Sequence, residues 1–229
     1  MKDFAEFEKK VGFPFNDKLL LQTAFTHRSY LNENRQNVKE HNERLEFLGD
    51  AVLELAVTDF LYGKYPERPE GELTAFRASL VNTQSISAAA TELGMNDYLL
   101  LSRGEEKDTG RARQYILANT FEAFIGSLYL DQGYEAARQF IQNTLFGKID
   151  EIVKNRLWQD AKSYLQEKAQ EEHSETPAYE VVKEAGPDHD KKFIAAAMIG
   201  GKAVAQGEGR SKQEAEQEAA RKALEVKGW

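Results

Sequence analysis

HNERLEFLGDAVLE, residues His41 to Glu54, reads as one continuous helix. Leu45, Leu48, Val52 and Leu55 recur at intervals of three and four, the period of a helix with one side turned inward. The same winding puts Glu46 and Asp50 one turn apart on one side, with Glu43 and Glu54 extending the acidic row. Like charges so spaced destabilise a helix by roughly 0.2–0.5 kcal/mol per pair unless something positive lies between them. A divalent cation would supply that charge, although the ordinary reading of such a row is a solvated helix face. A second run, LANTFEAFIG from Leu117 to Gly126, places Asn119 and Glu122 three apart on one face, with Glu122 among bulky apolar neighbours. A buried carboxylate without a partner is costly, so Glu122 should be protonated, salt-bridged or bound to metal. If the two helices converge, their oxygens form a site suited to Mg2+, with Mn2+ as a substitute, rather than to zinc. Such a site points to phosphate-ester hydrolysis.

Working outward, apolar residues keep mostly helical spacing from about Phe4 to Phe146, so this part is expected to be all-α. Beyond Trp158 the period changes. Phe193, Ala195, Ala197 and Ile199 alternate as in a strand, Gly200-Gly201 suits a tight hairpin turn, and Val204 lies on the return strand. The segment Ala178 to Val182 is also extended, and helices are expected from Asp160 and from Ser211, the latter opening with the serine and glutamate of a capping box, Ser211 and Glu214. The order is α-β-β-β-α, a small α+β module. The change of period places the boundary near residue 155, giving parts 1–155 and 156–229.

The chain has 229 residues, 41% hydrophobic and 30% charged, with a formal net charge of −8, which argues against a generally basic nucleic-acid binder and leaves only local basic patches. One such patch is expected where Lys191, Lys192, Arg210 and Lys212 meet at strand ends and at the start of the last helix, whose free N–H groups favour an anion. The absence of cysteine excludes disulfides, thiolate zinc sites and cysteine nucleophiles. The start offers no continuous apolar segment of a secretory signal, and no uncharged run is long enough for a membrane span, so a cytoplasmic protein without a membrane partner is expected. The loop from Gly104 to Gly110 lacks the Gly-Lys-Ser/Thr ending of a phosphate-binding loop, so no nucleotide cofactor is expected.

These motifs resemble bacterial ribonuclease III. NERLEFLGDAVLEL (Asn42 to Leu55) is similar to its signature, and AFTHRSY (Ala24 to Tyr30), GEEKDTGR (Gly104 to Arg111) and LANTFEAFIGSLYLDQG (Leu117 to Gly133) follow in the family's order, before a tail similar to a double-stranded-RNA-binding domain. The resemblance implies an all-α endonuclease domain over 1–155 that dimerises, joined to a double-stranded-RNA-binding domain over 156–229. It implies metal-dependent hydrolysis of double-stranded RNA to 5′-phosphate and 3′-hydroxyl ends, in rRNA or mRNA precursor processing. Glu46, Asp50 and Glu122 match the family's acidic positions: Asp50 and Glu122 as catalytic residues, and Glu46, Asn119 and Glu122 as metal ligands. Asn119 stands where the family usually has aspartate, so the site carries one negative charge fewer, and the alternative is a double-stranded-RNA-binding protein with a weakened or inactive nuclease site. Phe47 corresponds to a dimer contact; its plainer reading is a core phenylalanine. In the tail the resemblance assigns RNA contacts to Gln166 and Glu167, to the loop carrying His189, and to Lys191, Ser211 and Lys212. Gln213 stands where many such domains have another lysine.

Overall fold

The structure is a computed structural model that describes residues 2–34, 39–107, 109–156, 158–186 and 191–229. The chain divides into two compact units, 1–158 and 159–229. Trp158 packs edge-on against Phe76, with ring centroids 4.9 Å apart, which extends the first unit beyond the boundary expected near residue 155.

Within the described residues the first unit is helical: α1 (Phe4–Val11), α2 (Lys18–Ala24), α3 (Arg28–Glu33), α4 (Glu43–Lys64), α5 (Glu70–Val81), α6 (Thr83–Glu92), α7 (Arg111–Gln132), α8 (Tyr134–Thr144) and α9 (Ile149–Lys154), with short 3-10 turns between some of them. The expected all-α reading holds, and the acidic residues lie inside two long helices, α4 and α7, although α4 begins at Glu43 rather than His41, with Asn42 standing at its head. Local chemistry sets the ends. Asp17 accepts from the N–H groups of Leu19 and Leu20 at the head of α2, and Asn82 accepts from Ser85 N–H at the head of α6, satisfying donors that a helix start leaves open. Buried Asn42 holds the entrance of α4: its N–H donates to Thr26 O (2.9 Å) and its amide to Ala24 O (3.3 Å).

Helix α7 is the axis of this unit. Ile116, Leu117, Ala118, Phe121, Phe124, Ile125 and Leu128 are buried on several of its sides, and Phe124 meets Phe7 and Phe140 at centroid distances of 5.5 and 4.7 Å. Full burial of side chains of this size contributes about 1.5–3 kcal/mol each. Helix α4 lies against α7 at van der Waals contact between backbones. A Cβ at Gly49 would fall 1.7 Å from the carbonyl oxygen of Glu122, and one at Gly126 would fall 2.2 Å from that of Leu45.

The second unit follows the expected order: α10 (Ala161–His173), β1 (Ala178–Ala185), β2 (Lys192–Ile199), β3 (Lys202–Gly209) and α11 (Lys212–Lys227). The strands form one antiparallel sheet in the order β1-β2-β3. Gly200 and Gly201 both take positive φ (59° and 71°), as a two-residue hairpin between twisted strands requires. Ala196 is buried along with Ala195 and Ala197, because the central strand is flanked on both sides and alanine is too short to emerge. The core consists of Leu165, Ala169, Ala197, Ile199, Ala219, Ala220, Ala223 and Leu224. Among the described residues, no helix is long and apolar enough to cross a membrane.

Candidate functional site

The close crossing at Gly49 and Gly126 brings the two acidic runs together. Gly49 immediately precedes Asp50 on α4, and its own contact is the backbone of Glu122 on α7. Asp50 is exposed, whereas Glu46, Glu54, Asn119 and Glu122 are half-buried. Burial and the charges of Asp50, Glu46 and Glu54 push the Glu122 carboxyl up to about 8. Glu46 is also raised, first by burial and then by Glu43 and Asp50, while a hydrogen bond from the Asn119 side chain draws it back. The two ends of the row are paired within the protein: Glu54 with Arg77 Nε at 2.9 Å and Glu43 with Arg28 Nη1 at 3.6 Å.

Among the described residues, no three carboxylates or histidines close into a ready-made metal cage. The fit to a divalent cation lies in the chemistry of the donors. The side-chain oxygens of Glu46, Asp50, Glu122 and the Asn119 amide are hard donors of the kind a divalent cation takes, and burial, with the neighbouring carboxylates adding to it, keeps a proton on Glu122 well above the pH at which a glutamate normally loses it. Arg113 braces the entrance to α7. Buried in the helix's first turn, it donates from Nη1 to Asn96 Oδ1 (2.8 Å) and from Nη2 to Glu105 O (2.7 Å), tying down the loop before the helix.

In the second unit two of the four residues expected to form a basic patch, Lys191 and Lys212, come together. Lys191 and Lys212 both pair with Glu184, at 3.4 and 3.1 Å, and both stand 5.8 Å from the centre of the Phe193 ring. Lys192 pairs separately with Glu208 at 3.0 Å. Ser211 accepts from Glu214 N–H (3.1 Å), and the Glu214 carboxylate reaches back to Arg210 N–H (2.9 Å), one residue earlier than the usual capping box. Gln166 and Glu167 are exposed on α10. His189 lies outside the described residues.

Comparison with known proteins assigns both units. Residues 17–149 match the Ribonuclease-III-like family model and residues 161–227 match the Double-stranded RNA binding motif. The chain is 49% identical over 224 residues to Ribonuclease 3 of Geobacillus kaustophilus, covering 97% of this chain and 90% of that one. The chain belongs to the ribonuclease III family. Another member, Ribonuclease 3 of Natranaerobius thermophilus, is 48% identical over 219 residues, covering 96% of this chain and 94% of its own. Among solved structures, the nuclease domain of ribonuclease III from Campylobacter jejuni superposes with a TM-score of 0.56 at 37% identity, covering 62% of this chain and 98% of that domain. That structure is described as showing flexibility in a region involved in dimer formation.

As a ribonuclease III, the chain is an endoribonuclease whose α4–α7 crossing lies within the matched nuclease region. The glycine pair that makes the helices meet has little signal in the sequence beyond a glycine within each acidic run. For Phe47 the plainer reading as a core residue is overturned: it is 83% exposed, because the stripe of α4 that faces α7 is centred on Leu45, Gly49, Val52 and Ala56. Phe47 edges a cavity of about 980 Å³ whose wall includes Leu19, Leu20, Leu48 and Leu130.

Proposed function

We propose that the chain is a divalent-metal-dependent endonuclease that cuts double-stranded RNA, working as a cytoplasmic homodimer in the processing of rRNA and mRNA precursors. The observation that carries this reading is the α4–α7 crossing, where Gly49 packs on the backbone of Glu122 and brings its carboxyl beside the acidic face of α4. Glu122 is a half-buried carboxyl raised to about 8, first by burial and then by the charges of Asp50, Glu46 and Glu54. That arrangement suits a bound Mg2+ or Mn2+, with Glu46, Asn119 and Glu122 as ligands and Asp50 and Glu122 closest to the chemistry.

The reaction is hydrolysis: water adds at a phosphodiester phosphorus and the 3′ oxygen leaves, giving 5′-phosphate and 3′-hydroxyl ends. A divalent cation, when bound, supplies the positive charge that activates water and offsets the charge developing on the phosphate. The protein's own part is placement. Glu122 gives up its proton as the site fills, Asn119 holds Glu46 in orientation through its amide, and the α4–α7 contact fixes the distance between the two acidic rows. Dimerisation rests on the exposed Phe47 with Leu19 (68% exposed) and Leu130 (53% exposed) around the adjoining cavity, an apolar patch that a two-fold copy would cover. In the second domain Gln166, Glu167 and the His189 loop would meet the minor groove with its 2′-hydroxyls. Lys191, Lys212 and the helix start at Ser211 would meet phosphates, so that readout is by A-form shape.

The test is incubation of an end-labelled perfect RNA duplex with the purified protein in magnesium, beside a chelator control and the matching DNA duplex. Metal-dependent internal cutting of RNA alone supports the reading. Binding without cutting in either magnesium or manganese would replace it with the weakened-site alternative. Asn119→Asp adds the missing negative charge, so the magnesium concentration giving half-maximal cleavage should fall by about threefold or more; an unchanged or higher value would remove Asn119 from the ligand set. Glu184→Gln removes the carboxylate charge that Lys191 and Lys212 share. Duplex affinity in low salt should rise by about threefold and the salt dependence should steepen, as measured by filter binding across a salt series. Equal salt slopes would show that these lysines do not meet phosphate.

A further inference from the structure

Between Tyr115 and Leu128 on α7, solvent reaches the helix at few places: Tyr115 itself is exposed, and Asn119 and Glu122 are partly so, while Ile116–Ala118, Thr120–Phe121 and Ala123–Leu128 are buried. Exposed Arg111 continues the line by one turn toward the head of the helix. At 100° per residue, Arg111, Tyr115, Asn119 and Glu122 fall within an arc of about 80°. From Tyr115 to Leu128 the accessible edge of α7 is therefore a single track from an aromatic phenol into the acidic site, and a cation, Arg111, stands one turn before it on the same side. A strand that follows this edge with a phosphate at Asn119 and Glu122 passes Tyr115, about 6 Å along the axis from Asn119.

The two outer residues are already organised. Arg111 Nη2 donates to the Tyr115 hydroxyl at 3.4 Å, and its guanidinium carbon lies 5.8 Å from the centre of the Tyr115 ring. Arginine has no acceptor, so the phenol oxygen must accept and its own hydrogen is turned outward as a donor. Tyr115 is 47% exposed, although an aromatic residue on a largely buried helix ordinarily packs inward. A polyanion approaching Glu46 and Asp50 meets repulsion, and Arg111 places a positive charge on the approach.

We propose that Tyr115, oriented by Arg111, is a substrate-positioning residue: its hydroxyl donates to the 2′-oxygen of a ribose flanking the scissile bond, while Arg111 pairs with the adjoining phosphate. This deepens the reading of the site as a double-strand ribonuclease and rests on it. Tyr115 thereby reads ribose against deoxyribose at the point of cutting, independently of the RNA-binding domain.

The experiment measures kcat and KM of the full-length chain on an RNA duplex and on a set of duplexes carrying a single 2′-deoxynucleotide at each position flanking the cut in turn. One position is expected to lower kcat/KM of the unsubstituted chain by about fivefold, the range for one lost hydrogen bond. Tyr115→Phe, which keeps the ring and the fold, is expected to show the same fivefold loss on the all-ribose duplex and no further loss at that position. Arg111→Ala should raise KM more than it lowers kcat. If Tyr115→Phe retains the full sensitivity to 2′-deoxy substitution, or cuts as the unsubstituted chain does, the positioning role is overturned while the nuclease reading stands. If the unsubstituted chain cuts no duplex, the nuclease reading falls and takes this role with it.

Discussion

Glu122→Gln is expected to abolish cleavage while making the metal-free protein more resistant to heat. In the folded chain without metal the Glu122 carboxyl holds its proton up to about 8, against an ordinary value of 4.5. In the unfolded chain the same group ionises near that ordinary value. Folding at intermediate pH therefore takes up a proton. The stability associated with this group is complete below about 4.5, declines as pH rises, and is fully lost once pH has passed about 8. Glutamine keeps a similar shape and never ionises, so the melting temperature of the variant should exceed that of the unsubstituted chain by an amount that grows from pH 5 to pH 8 and then levels off. Magnesium should raise the melting temperature of the unsubstituted chain, increasingly so toward pH 8, because a ligand must shed its proton to bind; the variant should respond weakly. Cleavage should fall by at least about a hundredfold. Melting curves at several pH values, with and without magnesium, decide the matter: parallel pH profiles for the two proteins would show that Glu122 does not carry the displaced proton.

The second large effect concerns a residue with no functional group at all. Gly49→Ala introduces a Cβ 1.7 Å from Glu122 O and 2.9 Å from Gly126 N, and Gly126→Ala introduces one 2.2 Å from Leu45 O. These are backbone atoms of two packed helices and cannot turn aside. Helix α4 must move away from α7, which opens the core around Leu45, Val52 and Phe121 and separates Asp50 and Glu46 from Glu122. Alanine favours a helix over glycine by about 1 kcal/mol, far less than the several kcal/mol expected from overpacking and loss of core contact. Each variant should melt at least about 10 °C lower and lose metal-dependent cleavage. Gly63→Ala is the control: it lies on the same helix, nothing stands within 4 Å of its added Cβ, and the propensity gain should stabilise it slightly. If Gly49→Ala melts with Gly63→Ala, the crossing is not what holds the acidic rows together.

Much of this architecture could be read from the sequence because period is a local property. The three-and-four spacing of Leu45, Leu48, Val52 and Leu55 marks a helix wherever it packs, and the alternation from Phe193 to Ile199 with Gly200-Gly201 behind it marks a hairpin. Convergence is not local. Glu46 and Glu122 are 76 positions apart, and their meeting depends on two glycines whose role appears only when the helices are placed together. Phe47 was ambiguous for a related reason. A helix with apolar residues on more than one side gives no sign of which side is covered within its own chain, and the structure leaves the Phe47 side open. The basic patch was legible as a grouping of lysines, whereas Glu184, which ties two of them together, stands in a different strand and was not singled out.

The small core of the second domain has a consequence for what its folding must overcome. Ala169, Ala197, Ala219, Ala220 and Ala223 make up much of it, and α11 approaches the sheet so closely that a Cβ at Gly207 would stand 2.2 Å from Ala219 N. Alanine has no rotamers to surrender, so ordering this interface freezes almost no side-chain motion. The domain offsets a modest buried apolar surface with a low entropic cost of assembly. The long side chains of Gln166 and Glu167 stay on the outside of α10, where their rotamer freedom is not lost on folding.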